Sequence, residues 1–278
     1  MPMNRRQAIG CLAAAVAPFP AMAASVTSHE TVDERLARLF ADEDTRGAFA
    51  AYRADGRQLI LSDKARCDAA ILPASTFKIA NSVIALETGV VSDPDKDVFK
   101  WDGVERAFPD WNKDHTLRSA IAASAVPVYQ EIARRIGPER MQRYLVAFDY
   151  GNRAIGGGID RFWLTGALRI SAREQIAFLD RLRRNALPVS TRSQELTRDI
   201  MPVTKVGDAI IRAKSGLVGV DDRSVAGGWR ATAGWLVGFA ESGGRLAVFA
   251  LNLDIADKRH IAARMPLAQK ALALVGSI

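Results

Sequence analysis

The sequence predicts an α/β chain of the α+β type, in which one antiparallel sheet is flanked by terminal helices and interrupted by an inserted, mostly helical subdomain. Three observations carry this expectation. Extended runs with turn signals lie toward both ends of the chain, helical periodicity dominates residues 74–205 between them, and an amphipathic segment stands outside the strands at each end.

The elements follow in chain order. TVDERLARLFAD (31–42) spaces Val32, Leu36, Leu39 and Phe40 as on one face of a short helix. GAFAAYRADGRQLILSD then reads as two strands joined at Asp55-Gly56, a dipeptide suited to a tight hairpin turn. From Ala74 the period lengthens. Helices are expected over 74–88, 117–122, 128–136, 138–147 and 171–184, with Gly89 and Gly137 as C-terminal caps and Pro138 opening the next helix. DAIIRAKSG, TAGWLVGFAESGG and RLAVFALNLD return to the extended pattern, with a turn at Ser242-Gly243-Gly244, and HIAARMPLAQKALALV closes as an amphipathic helix. One domain over 24–278 is expected, its sheet part about 24–73 and 206–278 and its helical part about 74–205.

Residues 1–23 stand apart from this domain. Arg5 and Arg6, an apolar stretch from Ala8 to about Phe19 and the small-residue end Ala21-Met22-Ala23 describe a secretory signal cleaved after Ala23, by the general or the twin-arginine route. Export to the periplasm is expected. No other stretch reaches the ~18 apolar residues of a membrane span. Loss of the signal removes Cys11 and leaves Cys67 alone, so no intrachain disulfide is expected and stability must come from the core. The formal charge of +7 is scattered, not gathered into a stripe, which argues against nucleic acid and suits a small anionic substrate. His29, His115 and His260 lack ligand spacing, so no metal is expected.

Chemistry is suggested first by Ser75 and Lys78 in PASTFKIANS. A lone S-x-x-K arises about once by chance in a chain of this length, and its ordinary meaning is a helix serine and a solvated lysine. Here the lysine is flanked by Phe77, Ile79 and Ala80, which predicts partial burial and a lowered pKa. Spacing of i and i+3 also sets the hydroxyl and the amine one turn apart on one face. Three further clusters follow: Ser124-Ala125-Val126 before Pro127, Tyr150-Gly151-Asn152 ahead of Trp163, and Lys214-Ser215-Gly216 at the end of a strand. Each alone has a structural explanation, as an N-cap, a loop and a strand end respectively.

In this order, with the first at a helix start and the last on a late strand, the motifs resemble the serine β-lactamase and penicillin-binding-protein superfamily, and within it the class D β-lactamases. GGIDRFWL, LRISAREQIAFL, GWLVGF and ALNLDI extend the resemblance over essentially the whole mature chain. The resemblance implies a β-lactamase/transpeptidase-like fold and hydrolysis of penicillin-type antibiotics through an acyl-enzyme on Ser75. Lys78 is then carbamylated by carbon dioxide (N6-carboxylysine), with no other cofactor, in an apolar pocket of Phe77, Val126 and Trp163, and the Trp163 N–H serves as the carbamate's donor. Ser124 relays a proton to the leaving nitrogen, and the N–H groups of Ser75 and Leu217 hold the oxyanion. Lys214, Ser215 and Arg264 meet the substrate carboxylate beside Gly216, while Tyr150, Gly151 and Asn152 form a structural motif. Where class A enzymes carry S-D-N, this chain has Ser124-Ala125-Val126, which puts an apolar residue beside the lysine. Alternative activities are a D-alanyl-D-alanine peptidase and a β-lactam sensor domain. Ser124-Ala125-Val126, Trp163 and the cleavable signal favour the hydrolase. The substrate range is set by loops the motifs do not rank, and a monomer and a homodimer are both compatible.

Overall fold

The computed structural model describes residues 29–55, 57–221, 224 and 228–278. The expected signal peptide, Cys11 and Gly56 of the hairpin turn lie outside these residues. Strand β1 (His29–Val32) comes first and is exposed throughout, so Val32 ends a strand instead of facing a helical core as its spacing suggested. Helix α1 (Glu34–Ala41) starts at Asp33, whose carboxylate accepts from the Arg35 N–H and from its guanidinium. The hairpin β2 (Gly47–Arg53) and β3 (Gln58–Leu61) pairs Arg53 with Gln58, followed by the short helix α2 (Lys64–Asp68), which carries the buried free Cys67.

The helical block comprises α3 (Lys78–Glu87), α4 (Leu117–Ala123), α5 (Val126–Ile136), α6 (Pro138–Ala147), α7 (Ala172–Arg183) and α8 (Thr191–Ile200). Its boundaries follow local chemistry. Capping boxes open α4 (Thr116 with Ser119) and α7 (Ser171 with Glu174), and Gly137, at φ +81°, separates α5 from α6 with Pro138 next in line. The chain then returns to the sheet through β4 (Val203–Val206), β5 (Ala209–Asp221), β6 (Trp229–Ser242) and β7 (Arg245–Asp254), and ends in α9 (Arg259–Leu274).

These strands form one seven-stranded sheet in the order β1-β3-β2-β7-β6-β5-β4. Every pairing is antiparallel except β1 with β3, so the wholly antiparallel sheet expected from sequence is corrected at that edge. The central strands are buried on both faces, which is why they read as continuous apolar runs. In β2, Phe49 and Ala51 pack with Leu36 of α1 and Leu267 and Leu272 of α9, whereas Ala48 and Ala50 face the helical block with Val83, Tyr129 and Leu179. A single sheet therefore separates two cores. The functional residues gather where the helical block meets the β5 end of the sheet.

Candidate active site

Ser75 lies in a 3₁₀ turn, Ala74–Phe77, that runs directly into α3. The segment before it is held from three sides. Ile71 exchanges backbone hydrogen bonds with Ile170, the Trp235 indole donates to Leu72 O at 2.9 Å, and Ala74 N donates to Trp163 O at 3.0 Å. Ala74 has φ +48°, a left-handed conformation that carries strain in a residue with a side chain, directly before the serine. Thr76 Oγ1 returns to Pro73 O at 2.7 Å and accepts from the Gln175 amide at 2.8 Å, which fixes the turn on α7.

One turn along, Lys78 Nζ donates to Ser75 Oγ at 2.7 Å. Its side chain is wholly buried, beyond the partial burial its neighbours suggested. Burial, and then the charge of Lys214, hold its pKa well below the usual amine range. The Tyr129 ring lies 5.3 Å from Nζ and favours the cation, a weaker influence than desolvation. A neutral amine hydrogen-bonded to a serine hydroxyl is an arrangement able to move the serine's proton.

Trp163 is also fully buried, in an aromatic cluster with Phe77 (5.3 Å between ring centroids) and Phe162 (4.9 Å). Its Nε1–H has no hydrogen-bond partner. Such an orphaned donor is rare enough in a well-packed interior to require a reason. Tyr150, Gly151 and Asn152 stay out of the cleft. Tyr150 packs its ring on Phe77 and Phe178, and burial pushes its phenol upward, moderated by nearby Thr76 and Gln175, although its hydroxyl meets neither in hydrogen-bond geometry. Asn152 is exposed and closes the loop that carries Trp163, donating to Ala167 O at 2.9 Å and accepting from Arg169 N at 3.0 Å. Gly151, at φ +52°, has no room for a side chain against Arg169 O.

The opposite wall is β5. A Cβ on Gly216 would stand 3.1 Å from Pro73 O and 3.3 Å from Ser75 N, so the missing side chain lets strand and serine meet. Ala213 N donates to Pro202 O on the outer side of β5. By the two-residue alternation of a strand, Ser215 and Leu217 direct their backbone N–H the same way, beyond the end of β4, where the serine's turn lies.

Lys214 is nearly fully buried, and its Nζ donates to Ser215 O at 2.9 Å. Burial, then the Arg264 charge, lowers its pKa to about 7. Arg264 on α9 donates to Ile261 O, Gly216 O and Trp235 O, and its own pKa is lowered by burial. Arg259, at the start of the same helix, is exposed and pairs with Asp44.

Ser75, Ser124, Val126, Ser215, Gly216, Leu217 and Arg264 line one cleft of about 430 Å³, and a neighbouring recess of about 330 Å³ adds Lys214 to Ser215 and Arg264. Neither lining contains a carboxylate, so the cations favour an anionic ligand. Ser124 is not the N-cap its sequence context suggested. It caps the C-terminus of α4 at φ +53°, and Ala125 precedes α5. Phe108, Trp111, Leu164 and Trp229, none of them singled out from the sequence, complete an apolar wall. Among the described residues, no group of three or more His, Cys, Asp or Glu is placed to hold a metal.

The penicillin-binding-protein transpeptidase domain family matches residues 39–273. The chain is 42% identical over 257 residues to β-lactamase OXA-5 of Pseudomonas aeruginosa, covering 92% of this chain and 94% of that one. It is 42% identical to β-lactamase OXA-48 of Klebsiella pneumoniae, covering 84% of each. Among solved structures, it is similar to the class D β-lactamase YbXI from Nostoc, with a TM-score of 0.79 at 39% identity, covering 87% of this chain and 99% of that one. The class D β-lactamase FUS-1 (OXA-85) from Fusobacterium nucleatum subsp. polymorphum gives a TM-score of 0.81 at 34% identity, covering 89% and 100%. With a buried lysine bonded to a serine at the head of α3 and relatives aligned along nearly their whole length, this chain belongs to the class D serine β-lactamases and is a β-lactam hydrolase.

Proposed function

We propose that Ser75 is the acylated nucleophile, that Lys78 works as a carbamate in both halves of the reaction, and that the enzyme acts in the periplasm after removal of residues 1–23. The observation that carries the lysine reading is the partnerless Trp163 Nε1–H. An unsatisfied buried donor costs about 1–3 kcal/mol, and an anion on the buried lysine, beside the same Phe77 cluster, supplies its acceptor. The neutral amine is the form that adds to carbon dioxide, releasing one proton as the N–C bond forms. Burial, and then the charge of Lys214, shifts the lysine toward that form.

So modified, Lys78 takes the Ser75 proton while Oγ bonds to the lactam carbonyl carbon. The charge gathering on the carbonyl oxygen falls to the Ser75 and Leu217 N–H groups. The lactam C–N bond breaks as Ser124 relays a proton to the nitrogen. Water then loses a proton to the same base, its oxygen attacks the ester carbonyl, and Ser75 Oγ departs reprotonated. Lys214, Ser215 and Arg264 hold the substrate carboxylate beside Gly216, and Val126 keeps the lysine side of the cleft apolar.

Intact-mass spectrometry after addition of a penicillin tests this reading. A transient adduct of the penicillin's mass on the Ser75 peptide, gone once the product accumulates, is expected, with none in Ser75→Ala. A persistent adduct would indicate a sensor or peptidase, and labelling of Ser75→Ala would refute the nucleophile.

A further inference from the structure

We propose that Gln130 and Arg134 of α5 are positioning residues for Trp163, acting through Asp160, and so set how tightly Lys78 holds carbon dioxide. The inference rests on the carbamate reading above. Trp163 is carried by a loop, 153–168, that contains Gly156, Gly157, Gly158 and Gly166. A side chain on Gly166 would collide with Gly156 O and Phe162, and one on Gly157 would stand 2.8 Å from Gly166 Cα. The loop's two arms therefore lie backbone to backbone, joined by Ala167 N donating to Gly156 O at 2.9 Å and not by interlocking side chains, and ties to neighbouring elements help to fix where the indole sits.

Three ties exist. Asn152 closes the neck, Ala74 N–H holds Trp163 O, and α5 grips the outer arm at Asp160. In the third, Gln130 Nε2 donates to Asp160 O at 3.1 Å and Arg134 Nη1 donates to Asp160 Oδ2 at 2.7 Å. Gln130 and Arg134 are four residues apart and share one helix face. Tyr129, next to Gln130, is wholly buried with its ring 5.3 Å from Lys78 Nζ, its hydroxyl 2.8 Å from Ser82 Oγ and its carbonyl accepting from Asn81 at 3.2 Å. One rigid helix thus sets both the floor under the lysine and the arm that aims the indole. From Asp160 to Trp163 the arm is a tight turn, with Arg161 N and Phe162 N both donating to Gly158 O. A shift at Asp160 is passed to Trp163, whose N–H must meet the anion on Lys78.

Gln130, Arg134 and Asp160 do not line the cleft that holds Ser75. An ion pair as exposed as Arg134–Asp160 also adds little to global stability, so positioning and folding are separable in a test. Hydrolysis of a penicillin is measured against added bicarbonate in degassed buffer for wild type, Gln130→Met/Arg134→Met, Arg134→Lys and Asp160→Asn, with carbamate occupancy followed by NMR using carbon-13-labelled bicarbonate. The double variant should need roughly tenfold more bicarbonate for half-maximal rate, in the range lost when an outer partner of a liganded group is removed. Saturating bicarbonate should restore its kcat, with KM unchanged throughout. Arg134→Lys, which keeps the charge, should stay near wild type, and Asp160→Asn should shift in the same direction as the double variant. Equal half-saturation in wild type, the double variant and Asp160→Asn overturns the positioning role, as does a loss of rate that bicarbonate cannot restore. Absence of any bicarbonate dependence or carbamate signal in wild type overturns the carbamate reading itself, a different result from the first.

Discussion

Trp163→Phe isolates the indole N–H while keeping an aromatic ring in the Phe77–Phe162 cluster. With Lys78 unmodified, the N–H is a buried donor without a partner, so its removal relieves a penalty of about 1–3 kcal/mol. The smaller ring loses packing and leaves a small cavity, of similar magnitude and opposite sign, at a fully buried site. The two contributions largely offset, and thermal stability in carbon dioxide-free buffer should change little. The modified state differs. There the N–H donates to an anion, a bond worth about 1.5–3 kcal/mol, and its loss, added to the penalty relieved in the unmodified state, weakens carbon dioxide binding by at least roughly tenfold. The assay pairs a melting curve without carbon dioxide with penicillin hydrolysis titrated by bicarbonate. Burst kinetics should show deacylation slowed more than acylation, with partial recovery on adding bicarbonate. An unchanged bicarbonate requirement, or a large loss of stability in carbon dioxide-free buffer, would refute the reasoning.

Three further outcomes follow from the structure. Lys214 has a pKa of about 7 against the ordinary 10.5, so between these values the unfolded chain binds more protons than the native one, and this residue's contribution makes stability rise with pH across that window. The same deprotonation should raise KM for a carboxylate-bearing β-lactam as pH climbs above about 7, a trend that Lys214→Met should flatten in a pH profile. Gly151→Ala forces a side chain into the Arg169 carbonyl at φ +52° and should destabilise the fold by at least about 1 kcal/mol, read as a lowered Tm.

How far the sequence alone reveals this structure depends on what each element buries. The burial of Lys78 was legible because its apolar neighbours lie on one helix. Helix α8 was not, since its inward face is Ser193, Gln194 and Thr197, with Ile200 buried and Leu196 half-buried beside them, and a hydrophobic period cannot detect a mostly polar buried face. Strands β1 and β4 have four residues each, β1 is exposed throughout, and α2 has five residues, too few for a period to register. The β5–β6 hairpin extends to Asp221 and back from Trp229, beyond the expected strands. Gly219 reads as a breaker but provides the space in which the Trp229 ring lies, so the apolar cleft wall was missed with it. Phe108 and Trp111 belong to a short 3₁₀ segment whose place beside the serine is set by tertiary packing. The roles expected of Trp163 and Arg264 rest on the family resemblance, because no local spacing links either residue to Ser75.

The central claim, a carbamate on Lys78, is tested most directly by NMR of the enzyme equilibrated with carbon-13-labelled bicarbonate. A carbamate resonance should appear in wild type, be absent from Lys78→Arg, whose guanidinium stays protonated, and decline in step with activity as pH falls, since acid both protonates the amine and drives off carbon dioxide. Full activity in degassed buffer with no such resonance would show Lys78 acting as a plain amine and would contradict the account.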